Sequence, residues 1–481
     1  MPETNPETLT ILYTNDIHSH FETMGPIAAM VDQARSDAPG EVLLLDIGDH
    51  MDRAAVETEG TMGKANVEVI NLMGYDAITI GNNEGLTFTP AQIKQAYADL
   101  HSPVVCGNIV DRETGNSPEW MKRSLILSKG GIKIGLVAAT AAFAEFYELL
   151  GLNSLDPLKT IARDVHELRD QVDLVVVMSH LGLPMDRELA EQISGIDLII
   201  GGHTHHLLEV PLQVGDTTIT AAGKFGAYLG KMIIRLTEEE GEGLGFVIEG
   251  QCLPVNMDNS AGRIDEAIAL QQARARQRLT HAVAITDREL PLEYATESPF
   301  GNLLAQAVRR YTGSDFSLVN SGQLLSSLPA GTISEGMLHE RCPSPINPCT
   351  MKLSGRDILY SLEESLLEDM VSKEIKGYGF RGKVLGGLCV DGLEVIYAPQ
   401  AAPYQRITQV MLKGVPIQPE QAYTVGTLDM FSFGIGYERL QHGTEKRYML
   451  PDFLRDLLRI ELQIPESTET CFQLRWKKVE Y

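Results

Sequence analysis

The first apolar run of the chain ends in a carboxylate and an imidazole. Residues Leu9 to Thr14 predict a strand, and Asp16 and His18 follow it two residues apart. Asp and His are ligands of divalent metal ions. A strand that ends in this way presents both side chains at the carboxyl edge of a sheet, where open α/β sheets bind ligands. A single Asp-x-His is also typical of a surface loop, so the pattern indicates chemistry only if other strands repeat it.

Four further predicted strands end in the same kinds of side chain. The candidate ligands that follow them are Asp49, Asn82, His180, His203 and His205. Gly-Asp and Gly-Asn pairs are also common in turns, and a histidine at a strand end can be an ordinary polar residue. Five such endings are hard to explain by turn chemistry alone. We therefore predict that they meet at one edge of a sheet and bind metal.

The residue types indicate which metals would bind. Asp, His and Asn without Cys favour Mn, Zn, Fe, Co or Mg over a closed structural zinc site. Seven candidates suffice for two ions that share one carboxylate. Two ions about 3.5–4 Å apart stabilise the attacking and leaving oxygens of a phosphoryl displacement and lower the pKa of a bridging water. The predicted cofactor is therefore two divalent metal ions.

Charge and composition restrict the partners. The chain has 481 residues, with 40 Lys and Arg against 65 Asp and Glu, a net charge of −25. This balance argues against binding to nucleic acid and to anionic membranes. We predict that the partner is a small phosphate ester, and we infer no protein partner. Bound metal ions would supply the positive charge that a phosphate group needs.

The lack of a recognisable targeting signal and the scattered cysteines predict a cytoplasmic protein. Residues 1–7 have neither a basic segment nor an apolar run typical of a signal peptide, and no run of about 18 apolar residues is present. The six cysteines are scattered and predict reduced thiols; a pair or a metal site formed by Cys342 and Cys349 is the alternative.

The elements that position the candidate ligands belong to an α/β domain. Short β-branched runs alternate with helical segments from residue 8 to residue 255, as in a layered α/β fold. Residues 256–280 predict a solvated linker helix. Residues 281–481 predict a smaller mixed α/β domain, including one helix from Gly355 to Ser372 and one strand from Leu388 to Tyr397.

These motifs resemble a known family. Asp-x-His, Gly-Asp, Gly-Asn, a strand-end His and Gly-Gly-His-x-His resemble the calcineurin-like metallophosphoesterases, and residues 8–480 as a whole resemble their 5′-nucleotidase (UshA-type) branch. The resemblance implies a four-layer αββα sandwich followed by a substrate-recognition domain. It also implies two metal sites that share Asp49. One would use Asp16, His18, Asp49 and His205, and the other Asp49, Asn82, His180 and His203.

One residue departs from the family motif. The family has Gly-Asn-His-Glu, whereas this chain has Gly81-Asn82-Asn83-Glu84. In the family that His contacts the transferring phosphate and stabilises its transition state or protonates the leaving group. Asn83 can hydrogen-bond an oxygen but cannot supply a proton, and we predict that it acts with the metals and a substitute His or Arg to stabilise the phosphoryl oxygens. Candidates to take over part of this role are His20, His50, Arg53 and His206. Gly48-Asp-His-Met-Asp-Arg53 resembles the intracellular YunD-type subgroup, in which this substitution would be a common trait.

The second domain also departs from the family in its phosphate anchor. Phe316–Gly322 resembles the family strand that ends in Asn-x-Gly-Gly-Ile-Arg, with Asn320 as a candidate substrate contact. The Arg of that motif binds phosphate in the family, and here Leu325 stands in its position. Arg341 is the first candidate to replace it. The other candidates are Arg309, Arg310 and Arg381.

The family holds the nucleobase between two aromatic rings. Gly379-Phe380 resembles the first of these segments, and the second lies near a Gly-Gly-Asp-Gly-Tyr motif for which Phe431, Phe433 and Tyr437 are candidates. Ile435 stands where the family has its Asp, so a carboxylate that would contact the nucleoside is absent from this position. These aromatic residues can equally be core residues of a small domain.

The sequence thus predicts a metal-dependent phosphoesterase. We expect it to hydrolyse phosphate monoesters, nucleotides above all, by attack of a metal-bound hydroxide. One alternative is a phosphodiesterase or pyrophosphohydrolase that acts on cyclic nucleotides, dinucleotides or nucleotide sugars. The other is a metal-binding pseudo-phosphatase that senses a nucleotide.

Overall fold

The computed structural model describes residues 8–239 and 243–479, which form two compact units. The units are Met1–Ala275 and Arg276–Tyr481. Residues 1–7, from which we predict that a signal peptide is absent, lie outside the described residues. The predicted domain limits of 8–255, 256–280 and 281–481 stay predictions.

The first unit alternates strands and helices along most of its length. Its strands are β1 Thr8–Thr14, β2 Glu41–Asp46, β3 Ala77–Ile78, β4 Val104–Val105, β5 Ile109–Asp111, β6 Met121–Lys122, β7 Ser124–Lys129, β8 Ile132–Thr140, β9 Leu152–Ser154, β10 Leu174–His180, β11 Leu198–Gly201, β12 Leu212–Val214, β13 Thr217–Thr220, β14 Tyr228–Glu239 and β15 Gly243–Pro254. Its α-helices are α1 Met24–Asp37, α2 Val56–Thr61, α3 Lys64–Met73, α4 Asn82–Thr87, α5 Pro90–Ala96, α6 Ala144–Leu149, α7 Pro157–Arg169, α8 Leu183–Gln192 and α9 Gly262–Arg278. Short 3-10 helices cover Phe21–Thr23 and Tyr97–Asp99.

Within the described residues the main strands of this unit form two sheets. The order in the first sheet is β15-β14-β1-β2-β3-β4-β6, and its strands β1, β2, β3, β4 and β6 pair in parallel. The order in the second sheet is β12-β13-β11-β10-β8-β7, with a parallel centre formed by β8, β10, β11 and β13. Parallel strands place their carboxyl ends at the same edge of their sheet.

The two sheets pack face to face between layers of helices. Alternate residues of β1 face opposite layers: Ile11 joins a cluster with Val176 of the second sheet, whereas Leu12 joins a cluster with Ile27 of α1. A third cluster packs β10 against α7. This period of two is what a strand buried on both faces requires. The predicted αββα sandwich is therefore confirmed.

The strands that carry the candidate ligands come from both sheets. Asp16, Asp49 and Asn82 follow β1, β2 and β3 of the first sheet, while His180 ends β10 of the second sheet. His203 and His205 follow β11, also in the second sheet. The prediction that all candidate ligands lie at one edge of a single sheet is therefore wrong. The spacing of apolar residues in a strand does not indicate which parallel sheet the strand joins.

Helix α9 packs one face on the first unit. Ile264, Ala267 and Ala275 are buried, and Arg263 forms an ion pair with Asp32 of α1. A Cβ at Gly60 of α2 would lie 2.6 Å from the Cα of Ala275, so the two helices approach more closely than a larger residue allows. The prediction of a solvated helix is thus wrong for this face, because the Ala residues of the segment serve close packing.

The second unit is a mixed α/β structure. Its strands are β16 Ala282–Thr286, β17 Phe316–Asn320, β18 Gly331–Ser334, β19 Pro348–Ser354, β20 Leu388–Asp391, β21 Leu393–Tyr397, β22 Ile407–Leu412, β23 Val415–Pro416, β24 Ala422–Leu428, β25 Thr444–Tyr448 and β26 Trp476–Lys478. Its α-helices are α10 Pro299–Thr312, α11 Glu335–Arg341, α12 Gly355–Glu364, α13 Glu368–Val371, α14 Asp429–Ser432, α15 Leu454–Glu461 and α16 Pro465–Thr470, and 3-10 helices cover Ser321–Gln323 and Glu438–His442. Strands β20-β17-β24-β19-β25 form one sheet and β23-β22-β21-β26 another, with α10 buried in the same core as β17.

Two predicted elements of this unit are divided in the structure. The predicted helix Gly355–Ser372 ends at Glu364, where the hydroxyl of Ser365 donates to the Leu362 carbonyl, and a second helix begins at Glu368. The predicted strand Leu388–Tyr397 is divided at Gly392, whose φ of +84° only glycine adopts readily.

The helices and cysteines of the described ranges bear on two further predictions. In these ranges every helix is too short or too polar to cross a membrane. All six cysteines are buried as free thiols, so the alternative of a Cys342–Cys349 disulfide is wrong. The cytoplasmic location stays a prediction.

Candidate metal centre

Backbone hydrogen bonds join the loops that follow β1 and β2. The N–H of Asp16 donates to the Gly48 carbonyl at 3.0 Å, and the N–H of His18 donates to the Asp49 carbonyl at 2.8 Å. These backbone contacts alone fix the candidate ligands of the two loops relative to each other.

Many residues around these loops have a left-handed backbone. The residues with φ between 48° and 71° in this region are Asp16, His18, Ser19, Asp49, His203, His205 and Phe225. Such a conformation is unfavourable for residues other than glycine and is concentrated at functional sites.

Two glycines allow the loops after β2 and β3 to touch. Gly48 has a φ of +88°, and a Cβ added there would lie 2.4 Å from the backbone N of Gly81. A Cβ on Gly81 would in turn overlap the carboxylate of Asp49. Any larger residue would separate Asp49 from Asn82, which explains why both strands end in glycine.

The ligand atoms form one group around Asp16. The Oδ1 atom of Asp16 is 3.4 Å from Nε2 of His205 and 3.8 Å from Nε2 of His18, and these two nitrogens are 3.2 Å apart. Three atoms at this spacing can bind one ion.

A second group lies on the other side of Asp49. Its Oδ2 is 3.3 Å from Nε2 of His180 and 3.7 Å from Nε2 of His18, and Oδ1 of Asp16 is 3.9 Å from Nε2 of His180. Asp16, Asp49 and His180 are all buried. The Asp49 carboxylate thus lies between a histidine of each group.

The orientation of His180 fits a metal ligand. Its Nδ1 lies 2.8 Å from the Ile47 carbonyl, which can only accept, so Nδ1 carries a proton and Nε2 is the nitrogen that faces the ligand group. That Nε2 is buried without a hydrogen-bond partner, and so is Oδ1 of Asn82. Buried acceptors without donors are expected where a cation binds, so the residues present fit a metal centre.

The electrostatics of the group favour a positive charge at its centre. Burial by itself would raise the pKa of Asp16 and Asp49, but the neighbouring histidines lower both below the usual value. Burial by itself would lower the pKa of His180, but Asp49 raises it to about 10. His203 is different: burial and the charge of His180 lower its pKa to about 4, which keeps its ring neutral near pH 7.

The candidates for the missing histidine have different positions. The side chain of Asn83 lies against His18, with Nδ2 2.8 Å from Nδ1. His20 lies at the surface, where Nδ1 is 2.7 Å from Glu22 and its ring is 4.1 Å from that of Phe225. His206 is exposed and contacts the Thr204 hydroxyl.

The structure does not support His50 and Arg53 as proton donors. His50 is buried beside Asn66, and burial lowers its pKa to about 3, so the ring is neutral and has no spare proton near pH 7. The guanidinium of Arg53 donates to both carboxylate oxygens of Glu59 and to the Thr87 carbonyl. These contacts make Arg53 a link between α2 and α4.

Sequence reasoning did not assign four residues near the centre. Glu84 accepts three backbone hydrogen bonds in the ligand loops, and Asp52 Oδ2 lies 3.7 Å from Nδ1 of His18. Asp52 lies in the Gly48–Arg53 motif and Glu84 in the Gly81–Glu84 motif, so both could have been found from the sequence. Phe225 packs its ring near His18 and His205, and Nζ of Lys224 lies 4.5 Å from its centroid. Nothing in their local sequence indicates this position.

The predicted substrate contacts of the second unit are mostly core residues. Phe380, Phe431 and Tyr437 are at most 4% exposed, so these rings offer no open face to a base. All three belong to the hydrophobic core of this unit. Phe433, 44% exposed, is the open aromatic residue of the segment and stacks on Tyr448.

The polar candidates of this unit are engaged within the protein. Asn320 donates to the Leu385 carbonyl and accepts from Gln323. The carbonyl of Arg341 accepts from the N–H of Leu325, so Arg341 does lie beside the position of the missing arginine. Its guanidinium donates to the Ser327 and Met337 carbonyls. Arg309 and Arg310 form ion pairs with Asp391 and Glu461.

Comparisons with known proteins agree with the geometry of both units. The profile of the calcineurin-like phosphoesterases matches residues 9–207, and that of the 5′-nucleotidase C-terminal domain matches residues 276–441. A metallophosphoesterase of Bacillus subtilis (strain 168), YunD, is 35% identical over 95% of this chain and 99% of its own length. The chain belongs to the calcineurin-like metallophosphoesterases.

Solved structures of two nucleotidases share the fold of this metallophosphoesterase. The 5′-nucleotidase precursor of Thermus thermophilus has a TM-score of 0.60 at 22% identity and covers 98% of this chain and all of its own. The NAD nucleotidase of Haemophilus influenzae has a TM-score of 0.71 at 15% identity, with 98% and 99% covered.

Membership in the family establishes the general chemistry. The metallophosphoesterase is a hydrolase of phosphoric esters, and the family uses a dinuclear metal centre. Five candidate ligands of this chain have atoms close enough together to hold metal ions; they are Asp16, His18, Asp49, His180 and His205.

Proposed function

We propose that this metallophosphoesterase hydrolyses phosphate monoesters, with nucleotides as the substrate class. The observation that carries the proposal is the convergence of carboxylate and imidazole atoms from two sheets on one group, in which Asp16, Asp49 and His180 are buried. Their Nε2 and Oδ atoms are 3.2–3.9 Å apart, as in ligand sets of adjacent ions.

The proposed ligand sets share one carboxylate. Asp16, His18 and His205 hold one ion, and Asn82, His180 and His203 hold the other. Asp49 bridges them, which is supported by the position of its Oδ2 between His18 and His180. When bound, two divalent ions neutralise the phosphoryl oxygens and lower the pKa of water for in-line attack.

The protein around the candidate ligands holds them in position. The Ile47 carbonyl fixes the ring of His180, and Glu84 fixes the loops that carry Asp49 and Asn82. Lys224, at the ring of Phe225, adds a positive charge near the ligands of the first set. Such pre-organised groups reduce the reorganisation needed when charge develops on phosphorus.

The second unit supports nucleotides as the substrate class. It matches the C-terminal domain of 5′-nucleotidases, and its exposed Phe433 offers a ring on which a base can stack. Leu325 and Ile435, in place of the family's Arg and Asp, support a mode of nucleotide binding different from that of the family. Nucleotide breakdown would be the corresponding cellular role.

The test is turnover of a panel of phosphate esters by the metal-loaded full chain. We expect phosphate release from nucleoside monophosphates and from p-nitrophenyl phosphate, and loss of both after Asp49→Ala or removal of metal with a chelator. Asp216→Ala is the matched control, because Asp216 is exposed in the turn between β12 and β13, outside the ligand group. Turnover of diesters or dinucleotides without monoesters would replace this proposal by a phosphodiesterase, and tight nucleotide binding without any turnover would refute it.

A further inference from the structure

The side chain and the backbone of Asn83 each contact a different metal-ligand candidate. Its Nδ2 lies 2.8 Å from Nδ1 of His18, and its backbone N–H donates to Oδ1 of Asp49 at 2.7 Å. The residue belongs to the first turn of α4, where the hydrogen bonds of Glu84 fix the backbone. Asn83 is thus held firmly beside His18.

The opposite nitrogen of His18 faces the ligand group. Its Nε2 lies 3.2 Å from Nε2 of His205, 3.8 Å from Oδ1 of Asp16 and 3.7 Å from Oδ2 of Asp49. A histidine binds metal through a nitrogen that carries no proton. For Nε2 to be that atom, the proton of the neutral ring must be on Nδ1.

The group that faces Nδ1 therefore decides which form of His18 is present. The oxygen and nitrogen of a carboxamide exchange places by a half-turn that leaves its shape unchanged. After this half-turn, Oδ1 of Asn83 occupies the position next to Nδ1 and accepts a hydrogen bond from the Nδ1–H group. The carboxylate of Asp52, 3.7 Å from the same nitrogen, adds negative charge on that side and favours the same protonation.

We propose that Asn83 is a positioning residue that keeps His18 in the tautomer and orientation that bind metal. Ligating histidines commonly donate their second N–H to a carbonyl or a carboxylate, and loss of that partner weakens metal binding. In this chain the carboxamide of Asn83 fills this role. The inference rests on the proposed metal centre but concerns metal affinity, which is measured independently of any reaction.

The experiment compares variants with and without a hydrogen-bond acceptor. Mn²⁺ is titrated calorimetrically into the metal-free full chain, as wild type, Asn83→Leu and Asn83→Asp. Leu has nearly the same size but no acceptor, whereas Asp keeps an acceptor in the same place. We expect Asn83→Leu to weaken one of the Mn²⁺ sites by about 10–100-fold and Asn83→Asp to keep wild-type affinity.

Thr87→Val is the matched control. The hydroxyl of Thr87 donates to the backbone carbonyl of Asn83 from the same helix, so its loss alters α4 without altering the contact with His18. Mn²⁺ affinity should not change. If Asn83→Leu does not fold, as judged by circular dichroism, Asn83→Ala takes its place, since it lacks an acceptor and introduces no bulk.

The outcomes separate this inference from the proposed function. Wild-type affinity in Asn83→Leu, or equal losses in the Leu and Asp variants, would overturn the positioning role. Wild-type protein that binds no Mn²⁺ would overturn the metal centre and the inference together. Mn²⁺ binding that depends on Asn83, without turnover of any ester, would refute only the proposed function.

Discussion

The carboxylate of Glu84 accepts a hydrogen bond from the backbone N–H of Asp49 at 3.0 Å. The same carboxylate accepts from Gly81 at 2.8 Å and from Met51 at 2.7 Å. One buried side chain therefore organises the loops after β2 and β3. Since a buried N–H without an acceptor costs about 1–3 kcal/mol, we expect Glu84→Ala to lower the free energy of unfolding by about 3 kcal/mol or more in urea denaturation.

The same substitution tests whether these loops matter for metal. Mn²⁺ affinity should fall by about 10–100-fold, as for other residues that orient ligands. The control is Glu113→Ala, an exposed glutamate of the same unit. Equal stability and metal affinity in Glu84→Ala and the control would contradict the organising role.

Asn83→His restores the residue that the family has at this position. An imidazole can protonate a leaving group, and general acid catalysis contributes about 10²–10⁴-fold in rate. We therefore expect kcat for nucleoside monophosphates to rise in steady-state assays at saturating metal. The rise should be smaller for p-nitrophenyl phosphate, whose leaving group departs without a proton. An unchanged rate for both would mean that another residue has fully taken over the proton transfer.

The aromatic residues of the second unit should divide into core and ligand residues. Phe431 is fully buried, so Phe431→Ala should destabilise the protein by about 3–5 kcal/mol in thermal or urea unfolding. Phe433 is 44% exposed, so Phe433→Ala should leave stability nearly unchanged but raise KM for nucleotides, since base stacking contributes about 1–3 kcal/mol. KM for p-nitrophenyl phosphate is the internal control. A rise of the same size for both substrates would exclude a stacking role for Phe433.

Asp429 should make stability depend on pH. Burial raises its pKa to about 7, partly offset by the backbone N–H groups of Asn347 and Met430. The folded state then keeps a proton that the unfolded chain releases near pH 4, so this group's contribution to stability falls as the pH rises from about 4 to about 7. Asp429→Asn does not titrate. We expect its stability relative to wild type to increase over this range, by at most about 4 kcal/mol. A difference that does not vary with pH would show that Asp429 is ionised in the folded state.

The sequence was sufficient to single out candidate ligand residues whose side chains converge in the structure, because each candidate depends on a local pattern. A buried strand followed by Gly-Asp, Gly-Asn or His is visible within ten residues, as at Asp49 and His180. The assignment of those strands to two sheets was not predictable, because pairing such as that of β10 with β8 depends on contacts distant in sequence.

The partners of the ligands and the exposure of the aromatic residues were also beyond the sequence. Asn83 meets His18 across 65 positions of the chain, and no local signal links them. Phe431 and Phe433 are two residues apart and equally apolar, yet only Phe433 reaches the surface, because a short helix turns the chain between them. In each case tertiary packing decides what the residue types leave open.

The division of the ligands between two sheets has a mechanical consequence. Asp16 and Asp49 follow strands of one sheet, and His180 and His205 end or follow strands of the other. The cluster between the sheets consists of apolar side chains, whose contacts are not directional. Metal ions bound by all four residues would link the two sheets and oppose sliding of one sheet over the other. The amount of bound metal should thus depend on the relative position of the two sheets. A substitution far from the metal centre that shifts one sheet would first be detected as a loss of bound metal.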